Sequence, residues 1–317
     1  MKQDFRIRKY VASDRNKWDN FVDECMQPHF FFHRSFMEYH KDRFTDASLI
    51  IEDKNENIVA LFPSSIANGV VSSHAGLTFG GLLYKRRTFV QKVITVLGLI
   101  ETYYANLSVH KMIYKVMPYI YKSEQGEEDL YALYMNNWKL VRRDFSTIVK
   151  KDSTLVSDRS RRKNNTIALQ NQIEVLPSED ITAFWNLLNQ NLKDRHHVNP
   201  THSLEELQLL MRLFPDNIKL IGGFKDGEML GGALLFLTPY VCKIQYSVNS
   251  LKGREFKVLD AVFLSIINDN QRPYVDFGHS SENEGKFLNE GLSKFKFYFK
   301  GEASVCDFYE KDLSANL

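Results

Sequence analysis

Nine histidines are spread over the 317 residues, and three stand where a proton could be moved. His74 lies in a glycine-rich stretch, residues 69–83, whose small side chains leave space around a ring. His202 directly precedes a helical pattern, after the break at Pro200. His279 follows Gly278 at a strand end, where sheets present functional groups. An imidazole titrates near neutrality, so each suits general acid–base work, and the sequence does not choose among them. Asp276 and Glu282 flank the same strand end as His279. Either carboxylate could share the proton transfer; Asp276 equally suits anchoring backbone amides, and Glu282 capping a helix.

A second chemistry is anion binding. Residues 250–257 read Ser-Leu-Lys-Gly-Arg-Glu-Phe-Lys and lead into a helix, whose first amides suit a phosphate or pyrophosphate. Gly253 would let backbone approach the ligand, with Lys252, Arg254 and Lys257 supplying charge. The counterpart in the first half, residues 84–88, is Tyr-Lys-Arg-Arg-Thr without glycine, so the anion site is expected in the second half alone.

The elements that must position these groups occur twice. An alternating strand at 5–10 precedes helices at 14–22 and 35–39, then strands at 47–52 and 58–63 split by a polar turn. A bent strand at 69–83, an apolar helix at 89–107, a strand at 112–117, a helix at 127–135 and strands at 140–150 complete the first half. The second half has a strand at 173–176 and helices at 181–191 and 203–214, the latter with Glu205 and Glu206 in its first turn. Strands at 218–224 and 229–237 are joined by the Asp226–Gly227 turn. A strand at 241–248, a loop at 249–257, a helix at 258–268, a strand at 274–277, a helix at 287–295 and a strand at 304–309 follow. The order β, α, α, β, β, β, α, β, α, β is therefore repeated, with a basic run at 157–165 as a solvated junction and helix start or a phosphate-binding segment. Domains are expected at 1–156 and 157–317.

Composition agrees: 44% apolar and 25% charged residues are those of a globular chain, long enough for two cores. A net charge of +2 gives no global reason to expect nucleic acid or an anionic membrane. No apolar run reaches the ~20 residues that span a bilayer, and the first ten residues lack the apolar core of a signal peptide, so the expected compartment is the cytoplasm. Cys25, Cys242 and Cys306 are scattered and form neither a disulfide framework nor a zinc pattern, so no metal is expected. The cluster at 29–33, His-Phe-Phe-Phe-His, reads as core.

The element order, with Ser73–His74–Ala75–Gly76–Leu77–Thr78–Phe79–Gly80–Gly81, Gln245–Tyr246 and Asp276–Phe277–Gly278–His279–Ser280–Ser281–Glu282 running on to Asn289 and Lys296, resembles the GNAT superfamily. The stretch from Asn199–Pro200–Thr201–His202–Ser203 into Glu206–Leu207 adds to it. The tandem copies resemble its FemAB-related and nucleotide-sugar N-acyltransferase branch. That resemblance implies an α/β (α+β) fold of two tandem GNAT-like domains, each a mixed, mostly antiparallel sheet flanked by helices and opening beside its fourth strand.

The implied activity is transfer of an acyl group from acyl-CoA to the amine of a nucleotide-linked amino sugar, as in polysaccharide biosynthesis. Coenzyme A would be held by Lys252, Gly253, Arg254, Lys257, Asn289 and Lys296 on the second domain. Thr78, Gln245, His279 and Ser280 would meet the acceptor in a cleft between domains. His74, His202, Asp276, Glu282 and Tyr246 are the catalytic candidates, Tyr246 as the acid for the departing thiolate. Direct attack of the amine requires neither metal nor acyl-enzyme. Two other readings stay open: a FemAB-type transferase using aminoacyl-tRNA, whose usual long helical hairpin finds no room in this sequence, and a degenerate lobe pair that only binds.

Overall fold

Residues 5–151, 158–196 and 199–314 are described in the computed structural model. The chain forms two compact units, Met1–Asp144 with Glu282–Phe287 and Val305–Leu317, and Phe145–Ser281 with Leu288–Ser304. The junction expected between residues 156 and 157 lies outside the described residues.

In the first unit, β1 (Arg6–Lys9) is followed by α1 (Arg15–Glu24), α2 (Arg34–Met37), β2 (Thr45–Asp46), β3 (Leu49–Glu52), β4 (Ile58–Phe62), β5 (Ser65–Ala67), β6 (Val70–Ser72) and β7 (Leu83–Tyr84). Next come α3 (Val90–Ala105), β8 (Lys111–Lys115), α4 (Glu128–Met135) and the start of β9 (Lys139–Lys150). Strands β1, β3, β4 and β7 form one antiparallel sheet. Strands β2, β5 and β6 pair antiparallel, and β6 runs parallel to β8. Helix α3 buries Val93, Val96, Leu97, Ile100 and Tyr104, a stripe at helical spacing that packs into this unit's core. The long bent strand expected over 69–83 is two short strands with an irregular segment between them.

That segment fills the edge of β8. Ser73 N–H donates to the Ile113 carbonyl, Gly80 N–H to that of Lys115, and Leu82 N–H to the Tyr114 hydroxyl. A Cβ on Gly80 would stand 1.9 Å from the Ser73 carbonyl oxygen, so glycine is required by close approach of backbone to backbone. The Lys115 ammonium, buried, donates to the carbonyls of His74, Ala75 and Leu77.

The second unit holds the end of β9, then α5 (Arg159–Gln170), β10 (Glu174–Ser178), α6 (Ile181–His196), α7 (Leu204–Leu213), β11 (Ile218–Lys225), β12 (Glu228–Leu237) and β13 (Val241–Asn249). Helices α8 (Leu251–Glu255) and α9 (Val258–Asp269), β14 (Tyr274–His279), the short β15 (Ser281–Glu282) and β16 (Phe287–Leu288), α10 (Glu290–Phe297) and β17 (Glu302–Asp312) complete the chain. Residues 308–312 of β17 pair with β8 within the first unit. The expected Ser203–Glu206 capping box starts α7, and Asp226 and Gly227 both take positive φ in the β11–β12 turn. The run 157–165, read as a junction, carries most of α5's first two turns.

Strands β10 to β13 pair antiparallel in order, β13 pairs parallel with β14, and β14 is antiparallel to residues 146–150 of β9. This is the mixed, mostly antiparallel architecture flanked by helices that the sequence implied. Adjacent glycines on β12 show the layers: a Cβ on Gly231 would meet Val258 of α9, whereas one on Gly232 would meet Phe184 of α6. Neighbouring strand residues face opposite ways, so α6 and α9 cover opposite faces of the sheet.

Candidate functional site in the second unit

Parallel pairing of β13 with β14 holds only from Val241–Tyr274 to Lys243–Asp276. Beyond it β13 carries a bulge, because Leu234 faces Tyr246 while Leu235 faces Ile244, leaving Gln245 without an opposite residue. Bulges turn and twist a strand, and here the strands separate. The resulting gap holds a cavity of about 450 Å³. Its walls include Leu188, Asn191 and Leu192 of α6 on one face of the sheet. Leu259, Asp260 and Phe263 of α9, with Leu292, Phe295 and Lys296 of α10, wall the other side. The cavity therefore reaches from one face of the sheet to the other.

On the α10 side three buried charges meet. Asp276 accepts hydrogen bonds from the Ser146 hydroxyl and Gly278 N–H, each 2.8 Å, and its second oxygen lies 3.7 Å from the Lys243 ammonium. Lys296 donates to the carbonyls of Gly278 (2.8 Å) and His279 (2.7 Å). Burial lowers its pKa to about 8, against the opposing pull of Asp276. Lys296 is thus a cation on the wall of an apolar cavity that can lose its proton near neutral pH.

On the α6 side, Tyr246 of β13 and His202, at the α6–α7 connection, share a hydrogen bond of 2.6 Å between the hydroxyl and Nδ1. Thr201 and Gln245 also bond the phenol, while burial raises its pKa, so it stays protonated. Trp185 fixes the backbone by donating to the His202 carbonyl. Two residues read separately from the sequence thus form one hydrogen-bonded pair. Tyr246→Phe is expected to lower kcat of the transfer proposed below about 10²-fold with KM little changed. Rate constants near wild type would remove the pair from the chemistry.

The other candidates are placed differently. His74 lies in the first unit at φ +58°, buried against His40 and Phe44. Burial first, then the charges of His40, Lys115 and Arg34, hold its pKa near 3. A closed, neutral ring of that basicity cannot accept a substrate proton near pH 7, which corrects its reading as a base. The space expected around it is filled too, since a Cβ on Gly76 would stand 2.2 Å from His40 Nε2. Thr78 and exposed Glu282 also belong to the first unit. Asn289 caps α10, accepting from Leu292 N–H. His279 ends β14 and offers its carbonyl to Lys296, and Ser280, which follows it, is buried.

The turn at 250–257 is helix α8, not a loop. Ser250 accepts from Gly253 N–H, and the amides of Arg254, Phe256 and Lys257 are taken up by carbonyls within the turn. A Cβ on Gly253 would stand 2.3 Å from the Leu230 carbonyl oxygen, so packing requires this glycine. Gly253→Ala is expected to cost about 1–3 kcal/mol, read as a lower urea midpoint; an unchanged midpoint would show that the turn relaxes. Lys252 is exposed and Lys257, at φ +60°, precedes α9. The first turn of α9 carries buried Asp260, held by Arg161 (2.7 Å) and Asn164 (3.0 Å). Lys243 and Asp260 had no signal in the sequence, because nothing local marks which residues of a strand or helix come to lie at a gap, and Arg161 was read only as part of the basic run at 157–165.

The three cysteines are free and buried, and burial pushes the thiols of Cys25 and Cys242 up to about 12. Among the described residues no group of three or more His, Cys, Asp or Glu could hold a metal, and no helix is long and apolar enough to cross a membrane.

No protein-family model and no curated protein matches the sequence. Solved structures do. FemX is similar with a TM-score of 0.69 at 11% identity, over 95% of this chain and 96% of that one. L-PGS from Bacillus licheniformis gives 0.60 at 12% identity, over 95% and 93%. A tandem GNAT protein from the clavulanic acid biosynthesis pathway gives 0.51 at 8% identity, over 98% and 99%. At these identities the likeness establishes the fold alone, a GNAT-like fold over at least 95% of this chain.

Proposed function

We propose that this chain is a FemAB-type acyltransferase that moves an aminoacyl group from aminoacyl-tRNA to an amine at the gap in the second unit. The observation that carries this reading is the turn between β13 and α9. The amides of Gly253, Arg254, Phe256 and Lys257 are internally bonded and Asp260 occupies the first turn of α9, which is poor ground for the pyrophosphate of coenzyme A. The likeness to FemX over nearly the whole of both chains supports the same donor. Local basic surface is available for the tRNA backbone: Arg159, Arg162 and Lys163 of α5 are exposed, although net charge is only +2.

In this reading the neutral amine enters from the α6 side and attacks the ester carbonyl held in the gap. An N–C bond forms and the C–O bond to the tRNA breaks. The Tyr246–His202 pair relays the proton released by the amine, and the leaving ribose oxygen takes one up. Lys296 lies where it can stabilise negative charge developing on the acyl oxygen. Orientation in a cavity open to both faces supplies much of the remaining rate.

Acyl-CoA as donor and a nucleotide-linked amino sugar as acceptor form the second reading, favoured by Lys252, Arg254 and Lys257 around the turn. Thermal unfolding with each donor separates the two. A donor at ~100 times its Kd adds about 2.7 kcal/mol to stability. Charged tRNA is expected to stabilise the protein and CoA to leave it unchanged; the reverse would replace the first reading by the second.

A further inference from the structure

We infer that the acyl group accepted by the gap carries an uncharged, apolar side chain of about the size of leucine or phenylalanine. The inference rests on the reading of this gap as the acyl site. Its interior is lined chiefly by Leu188, Leu192, Phe263, Phe277 and Phe295. A volume of about 450 Å³ is ample for such a side chain.

Of the charged groups on its walls, Asp260 and Lys296 already have hydrogen-bond partners, and Arg254 is half-buried at the α8 turn. Asp260 is neutralised by Arg161 and bonded by Asn164, so it offers little to a cationic side chain. Lys296 is held by two carbonyls, and Lys243 with Lys296 outnumber Asp276, leaving this side of the gap positive. A lysyl or arginyl side chain would enter a positive, apolar space with no free carboxylate, at a high desolvation cost. A glutamyl side chain would have to compete with the Gly278 and His279 carbonyls for Lys296, or reach half-buried Arg254 on the wall, and would lose its hydration in either case. An aliphatic or aromatic side chain loses nothing on entry. Oδ1 of Asn249, also on the wall, is a buried acceptor with no hydrogen-bond partner and suits the α-amino group of an aminoacyl donor.

The test compares donors that differ only in the acyl group. With leucyl-, phenylalanyl-, lysyl- and glutamyl-tRNA and hydroxylamine as a general acceptor, kcat/KM for the apolar pair should exceed that for the charged pair by at least about 10²-fold. Leu192→Glu, which places a carboxylate on a half-buried part of the wall, should narrow the leucyl-to-lysyl ratio about tenfold or more. Hexanoyl-CoA against succinyl-CoA runs the same comparison on the other donor class. Preference for a charged acyl group in either series overturns the inference and leaves the choice of donor standing. Hexanoyl-CoA turned over with no charged tRNA accepted overturns the FemAB-type donor and supports the apolar acyl site. No transfer from any of the six donors would overturn both.

Discussion

Lys296→Met is expected to lower kcat for acyl transfer by about 10²- to 10³-fold, the usual cost of removing one preorganised donor to a developing oxyanion. The residue stands on the wall of the gap with its ammonium fixed by the Gly278 and His279 carbonyls. Methionine keeps the stem and its packing but loses the charge. A pH profile separates this role from a merely structural one. With its pKa lowered to about 8, Lys296 is protonated below that value and loses its charge as pH rises through it. Wild-type kcat should therefore fall on the alkaline side with a midpoint near 8. Lys296→Arg, whose guanidinium does not titrate there, should retain part of the rate and lose that limb. A Lys296→Met enzyme with wild-type kcat would exclude the cation from the chemistry.

Asp276→Asn should be the most destabilising isosteric change in the second unit, at about 3–5 kcal/mol, because it leaves the buried Lys243 and Lys296 without their carboxylate. Urea unfolding followed through the second unit's tryptophan, Trp185, would measure it. Asp276 also raises the pKa of Lys296, so in this variant the alkaline limb should move to lower pH than in wild type. Adding Lys243→Met removes the lysine whose ammonium lies 3.7 Å from Asp276 and should recover part of the loss, and the double-mutant cycle gives the coupling. A loss below about 1 kcal/mol would mean that water or neighbouring dipoles already solvate both ammonium groups.

Much of the scaffold was legible in the chain. The repeated element order, the Ser203–Glu206 box and the Asp226–Gly227 turn rest on local signals: apolar periodicity, a capping pair and a dipeptide that accepts positive φ. Where local signals were ambiguous the reading slipped. Residues 250–257 offered glycine and basic charge, which suit an anion loop, yet Ser250 caps a short helix there and Leu230 leaves no room beside Gly253. Residues 69–83 offered alternation and small side chains, yet their amides bond to β8 and their glycines admit neighbours, not substrate.

Sequence alone determined that this protein is an α/β chain of mixed, mostly antiparallel strands flanked by helices, because the periods of helices and strands are properties of consecutive residues. It also offered Tyr246, His202, Asp276 and Lys296 as candidates. Only tertiary structure decided which of them lie together. His202 and Tyr246 are 44 positions apart and meet at 2.6 Å because α6 and α7 bring their connection over β13. Lys296 reaches the gap because α10 packs beside α9 where β14 has left β13. His74 is silenced by burial, which no local pattern announces. Proximity across a sheet and the loss of solvent depend on residues distant in the chain, and those are what make a side chain an acid, a base or a cation.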